Sequence, residues 1–227
     1  MIKNTLASIL VITVLLASAA TIRAADKDKP AKPADEGWES LFDGKSLEGW
    51  KDSDFGGGGK PAVKDGLLIV PVGATLSGVT YTGKVPKVNY EVSLEAQKLD
   101  GSDFFVGLTF PVADSFASFI VGGWGGGVVG ISSIDGGDAS SNSTTKVMEF
   151  DSKKWYKFRV RVLADKIQCW IDDKQVVDAD IKDKKIDIRI EVENSKPFGL
   201  ASYQTSAAYK NIRLKKLTAD DMAEEKK

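Results

Sequence analysis

The chain has no histidine among its 227 residues. That absence removes Ser-His-Asp and Cys-His catalysis and imidazole-ligated zinc together. Any chemistry must run on carboxylates, lysine, arginine, tyrosine or a divalent metal held by oxygen ligands, whose identity the sequence leaves open. Glu91 and Glu95 fall on one face of a strand-like stretch, two pleats and about 13 Å apart at Cα. That is too far for a paired-carboxylate dyad, but it suits either residue as a lone general base. Glu95 is the stronger candidate because its row ends near Asp103, a second acid able to orient a ligand or hold a metal. Arg159 and Arg161 alternate on one face of another strand and are candidates for contacting hydroxyls or developing negative charge. Tyr203 and Gln204 follow the last bend and are candidate hydrogen-bonding partners for a substrate. For each residue taken singly, the alternative is an ordinary solvated strand face.

Trp124 stands apart. It sits in Gly122-Gly123-Trp124-Gly125-Gly126-Gly127, a large aromatic among five glycines. Glycine lets backbone or ligand approach closely, so Trp124 is a candidate platform for a flat ligand such as a sugar ring. A tryptophan packed over a tight β-bend is the other reading. Asp135-Gly136-Gly137-Asp138 lacks the spaced-acid calcium-loop pattern and reads as a turn. The closely paired carboxylates of retaining β-glucanases have no counterpart, and no phosphate-cradling motif accompanies the glycines of 52–60.

The elements that must position these residues are strands. Val88, Tyr90, Val92, Leu94 and Ala96 alternate with polar residues, as do Tyr156, Phe158, Val160 and Val162. Phe104, Val106, Leu108 and Phe110 are expected on one face, with Phe105, Gly107 and Thr109 on the other. Further strands are expected at 41–42, 81–85, 186–192, 198–203 and 209–217. Hairpins are expected around Asp65-Gly66 and Asp172-Asp173-Lys174. No sustained helical period appears. About a dozen short strands predict an all-β, two-sheet antiparallel β-sandwich.

Residues 1–24 have the form of a secretory signal: Lys3, an apolar run from Leu6 to Ala20, and small residues before Ala25. Cleavage after Ala19 and an uncleaved anchor are the alternatives. The expected organisation is a signal at 1–24, a flexible charged linker at 25–36, the sandwich at 37–217 and a charged tail at 218–227. It implies a secreted or periplasmic protein with no membrane span after cleavage. The 31 basic residues lose Lys3 and Arg23 with the signal, leaving a net charge near −3 against 32 acidic ones. Nucleic acid is an unfavourable partner for such a chain. The single cysteine, Cys169, is expected to be a buried thiol. Oligomeric state is not legible.

Three stretches, GWESLFDGKSLEGWK at the start, WYKFRVRVLADKIQCWIDDKQVVD in the middle and PFGLASYQTSAAYKNIRLKKL at the end, resemble one bacterial family across nearly all of 37–217. It is the family named for 3-keto-disaccharide hydrolases, or 3-keto-glucoside lyase/hydratases. The resemblance implies a concanavalin-like (laminin-G-like) jelly roll and a carbohydrate partner. It also implies a chemistry: a 3-keto group acidifies C2–H, a base removes that proton, and the C1 substituent leaves. On that reading Glu95 and Asp103 are the acids, and Arg159 and Arg161 contact the enolate. Trp124, Tyr203 and Gln204 hold the sugar. A non-catalytic carbohydrate-binding or envelope-interaction module on the same fold is the alternative.

Overall fold

A computed structural model describes residues 35–223. The expected signal at 1–24, most of the linker and the last four residues of the tail lie outside the described residues. In chain order the strands begin with β1 (Trp38–Ser40), β2 (Trp50–Asp52), β3 (Ala62–Lys64), β4 (Leu67–Val70) and β5 (Leu76–Tyr81). They continue with β6 (Tyr90–Gly101), β7 (Val106–Val112), β8 (Ser115–Gly122), β9 (Val128–Ser132) and β10 (Lys146–Val147). The last are β11 (Trp155–Val162), β12 (Lys166–Ile171), β13 (Lys174–Asp180), β14 (Gly199–Tyr203) and β15 (Thr205–Lys216). A single turn α1 (Gly123–Gly126) follows β8, and a short helix α2 (Ala219–Ala223) follows β15.

These strands form the expected antiparallel sandwich. One sheet runs β13-β12-β11-β6-β15-β4-β3, with β1 also pairing with β15; the other runs β10-β9-β8-β7-β14-β5-β2. Period-2 alternation sends one side chain set of each sheet into the shared core. There Tyr90, Val92 and Leu94 of β6 and Phe158 and Val160 of β11 meet Leu108 and Phe110 of β7 and Phe119 of β8. The polar tips of buried aromatics are satisfied by backbone. Tyr90 Oη donates to Pro111 O at 2.7 Å, Tyr209 Oη to Phe105 O at 2.7 Å, and Trp50 Nε1 to Leu41 O at 2.7 Å. Cys169 is buried as a free thiol. No helix among the described residues is long and apolar enough to cross a membrane.

Several local expectations need correction. Phe104 does not share a face with Val106. The chain kinks before β7, so Phe105 enters the core beside Phe150 and Phe158, while Phe104 lies outside, stacked on Tyr203 at 6.1 Å. The cause is Asp103. Its backbone N–H donates to Thr205 Oγ1 (3.0 Å), its carbonyl accepts from the same hydroxyl (2.9 Å), and its carboxylate caps the Phe104 N–H (2.8 Å). Leu41 and Phe42 plug the core just beyond β1 rather than forming a strand. The weak strand expected at 81–85 is the end of β5, which begins five residues earlier in Leu76-Ser77-Gly78.

The segment 186–192 is not a strand. Ser133 supplies its backbone pairing, through Asp187, and beyond that the chain turns into a 3-10 helix, Ile190–Ser195, with Val192 and Ser195 buried. The expected tail carries α2, whose Asp221 carboxylate accepts from Lys215 at 2.8 Å. The loop at 135–138 is a turn with its acids engaged: Asp135 pairs with Lys184 and Asp138 with Arg189. The amide of Asn142, first residue of an Asn-Ser-Thr sequon, donates to the carbonyls of Ile131, Gly137 and Asp138, so it pins that loop from within.

Candidate functional site

The outer face of the second sheet carries mostly small side chains, with Ile120 the exception. Strand register aligns Gly78, Ala201, Gly107, Ile120 and Gly130 in one row across β5, β14, β7, β8 and β9. The next row is Thr80, Gly199, Thr109, Ser118 and Ser132. The 3-10 segment closes one end of this floor, where Thr80 Oγ1 donates to Asn194 O at 2.6 Å. Over the remainder lies a cleft of about 580 Å³, large enough for a sugar of more than one ring. Its walls are aromatic: Phe55, Phe104, Trp124 and Tyr203. Its charged groups are Asp103, Arg189 and Glu191.

Two glycines make room for these walls. A Cβ on Gly107 would lie 2.9 Å from the Phe104 ring and 3.2 Å from Ala201 O, and one on Gly78 would meet Leu200 O at 2.6 Å and the Phe55 ring at 3.0 Å. The small floor therefore lets aromatic rings lie down on the sheet.

Trp124 is presented, not packed away. It is 47% exposed, at φ 50°, ψ 53°, between Gly122 (φ 79°) and Gly125 (φ 86°). A bulky residue in the left-handed region is uncommon and strained. The turn is held by Asp103, whose second carboxylate oxygen accepts from the Gly125 N–H at 2.8 Å. One carboxylate thus fixes both Phe104 and the Trp124 turn. That makes Asp103 a positioning residue, with both oxygens engaged by amides.

Arg189 lies at the 3-10 wall, donating to Glu191 at 2.7 Å and to Asp138 at 3.1 Å. The hydrogen bond from Arg189 holds the Glu191 carboxyl below its ordinary value, and the same bond raises Arg189. Burial pushes Asp138 up, but hydrogen bonds from Ser140 and Ser141 and the charge of Arg189 outweigh it and keep that carboxyl low. All three groups stay ionised at neutral pH.

The remaining sequence candidates are on the other sheet. Glu95 on β6 accepts from Asn211 at 2.6 Å and pairs with Lys210 at 3.3 Å. Arg159 and Arg161 on β11 grip the buried Glu91 at 3.3 and 2.7 Å. Gln204 is exposed beside the cleft, its amide 3.4 Å from Tyr203 Oη. The structure therefore gathers Asp103, Trp124 and Tyr203, and separates them from Glu95, Arg159 and Arg161 by the thickness of the sandwich. Among the described residues no group of three or more Asp, Glu or Cys is placed to hold a metal ion. Sequence reasoning missed Phe55, Phe104, Arg189 and Glu191. The small-residue rows, alternating with core residues along β7 and β14, were the available signal.

Comparison with known proteins decides the family. A model of the 3-keto-alpha-glucoside-1,2-lyase-like domain matches residues 37–215. The chain belongs to this family. No curated protein sequence matches this lyase-like domain. Among solved structures, the carbohydrate binding module CBM66 from Bacillus subtilis is similar to it at 18% identity and a TM-score of 0.51, covering 74% of this chain and 95% of the module. A putative glycosyl hydrolase from Parabacteroides distasonis is similar at 12% identity and 0.50, covering 81% and 95%. The Crh5 transglycosylase is similar at 11% identity and 0.54, covering 80% and 84%. At these identities the likeness is one of fold. The lyase-like domain shares its sandwich with both binding modules and enzymes.

Proposed function

We propose that the protein is a carbohydrate-binding domain that stacks a neutral sugar ring on Trp124 in the cleft of the second sheet. The observation that carries this reading is the half-exposed Trp124, held by Asp103 in a strained turn beside Phe104 and Tyr203. Rigid aromatic surface presented over a floor of small residues, with charged groups at its wall, suits a sugar with its apolar ring face and its rim of hydroxyls. Arg189 and Glu191 supply a donor and an acceptor at one wall. Calorimetric titration of the whole chain with neutral gluco-oligosaccharides tests it. Saturable binding lost in Trp124→Ala, with an unchanged melting curve, is the expected result. Equal binding by the variant removes Trp124 from the site.

Family membership supports a second reading, a 3-keto-glycoside lyase or hydrolase. Arg189 and Glu191 are the cleft's only ion pair among its lining residues. Glu191 would take the C2 proton, leaving the electron pair as an enolate beside Arg189, and collapse of the enolate would expel the C1 substituent. Incubation with 3-keto-glucosides separates the two readings: aglycone release that disappears in Glu191→Gln establishes the enzyme, and binding without release establishes the module. The sequence-based expectation of export is kept within both.

A further inference from the structure

The outer face of the first sheet holds a second cleft, of about 440 Å³, lined by Trp38, Glu91, Arg159, Arg161, Trp170, Lys215, Leu217 and Asp221. Register places Glu91 directly between Arg161 and Lys215. Glu91 is buried, and its carboxylate pairs with both guanidinium groups, while Arg159 Cζ lies over the Trp170 ring at 3.8 Å. These cations are pre-organised, and a planar guanidinium matches a carboxylate in geometry.

One carboxylate already occupies the cleft. Asp221 accepts from Lys215 Nζ at 2.8 Å, and from the backbone N–H and hydroxyl of Thr218 at 2.9 and 2.8 Å. Its side chain is only 10% exposed. Burial there would favour the neutral acid, yet the hydrogen bonds from Lys215 and Thr218 hold the carboxyl well below its ordinary range. The surroundings thus stabilise a carboxylate anion. The helix that carries Asp221 is five residues long with none buried. Such a helix has little stability of its own, so its polar contacts are what keep it in place.

We propose that this cleft is a second ligand site, taking the carboxylate of an acidic sugar of the uronate class, and that Asp221 is a displaceable internal occupant. The five charged lining groups carry one net positive charge with Asp221 in place and two without it. The saccharide part of the assignment rests on the carbohydrate reading of the first cleft; the carboxylate part does not. Exchange of Asp221 for an external carboxylate keeps every charge on Lys215 paired.

The test is titration of the full chain with sodium glucuronate, with glucose and sodium acetate as parallel probes. A cleft occupied by its own carboxylate about nine-tenths of the time binds about tenfold more weakly than a vacated one. Asp221→Asn should therefore bind glucuronate about tenfold more tightly than the wild type, and adding Lys215→Met should abolish the gain. In the wild-type chain the Thr218 amide resonance should shift as glucuronate displaces Asp221. Glucose should do neither, and Trp124→Ala should leave all of this unchanged. No gain in Asp221→Asn, or an unmoved Thr218 amide at saturating glucuronate, overturns the site. Acetate binding as tightly as glucuronate overturns the sugar assignment. Failure of neutral sugars at Trp124 is read separately, through Trp124→Ala.

Discussion

The two outer faces of the sandwich share one core and differ in almost everything else. On β11 the outward residues are Lys157, Arg159 and Arg161, and the two arginines both pair with Glu91 of β6. On β7 the outward residues are Gly107 and Thr109, which leave the sheet bare enough for Phe104 to lie across it. One face is therefore walled by long charged side chains anchored to each other. The other is hollow and is furnished with aromatic rings from the flanking turns. A sandwich makes an aromatic-walled cleft where its outward side chains are small, and a charged cleft where they are long.

The largest effect should come from breaking the charged face. Glu91→Gln removes the carboxylate between two arginines, and losing one partner of a largely buried ion pair costs about 3 kcal/mol, the low end for such pairs because Arg159 is partly exposed. Thermal unfolding should shift down by roughly 6–12 °C. Neutral-sugar binding measured below the new transition should not change. A drop in binding would show that the two faces are coupled.

Trp124→Ala should do the reverse. Losing an aromatic anchor costs about 2 kcal/mol of binding, roughly a 30-fold weakening by calorimetry, while the melting temperature stays level, because alanine keeps the same left-handed backbone and the lost ring is half exposed. Asp103→Ala frees the Phe104 and Gly125 N–H groups to solvent and should cost about 1 kcal/mol of stability. It should also weaken sugar binding several-fold, and Asp103→Asn should recover part of that loss. Gly107→Ala pushes on the Phe104 ring. A smaller loss of binding, with about 1 kcal/mol of destabilisation by urea titration, is expected.

Acid should have the smallest effect. The folded-state carboxyls of Asp138 and Glu191 lie below their unfolded values of about 4. Their contribution is therefore complete above that value and lost as pH falls through the lowered folded values. Sugar binding should stay flat from pH 7 to 5 and decline only in stronger acid. The pairs are partly exposed, so salt should blunt this change. A decline near pH 6 would implicate a group other than these two.

How much was legible follows from these residues. The alternation in β6, β11 and β7 is local, and it showed which residues point in and which point out. It gave no sign of which sheet a strand joins, so Glu95 and Asp103 could be placed on one row although their functional surfaces lie on opposite faces. Trp124 was legible because its glycines are consecutive in sequence. Phe104 was misplaced because the kink that turns it depends on Thr205, about a hundred positions away. Residues 186–192 alternate like a strand, but a pairing neighbour reaches only Ile186 and Asp187, too few for a ladder.

Composition and period determined the sandwich, the missing imidazole chemistry and a tryptophan set among glycines. Tertiary structure decided which of the polar residues share a cleft. Asp103 reaches Gly125 and Thr205, and Arg189 reaches Asp138, only after β7, β8, β14 and β15 have paired across long stretches of chain. A strand's own sequence sets its inward and outward faces, because side chains alternate with a period of two. Its neighbours are set by pairing energies summed over the whole sheet.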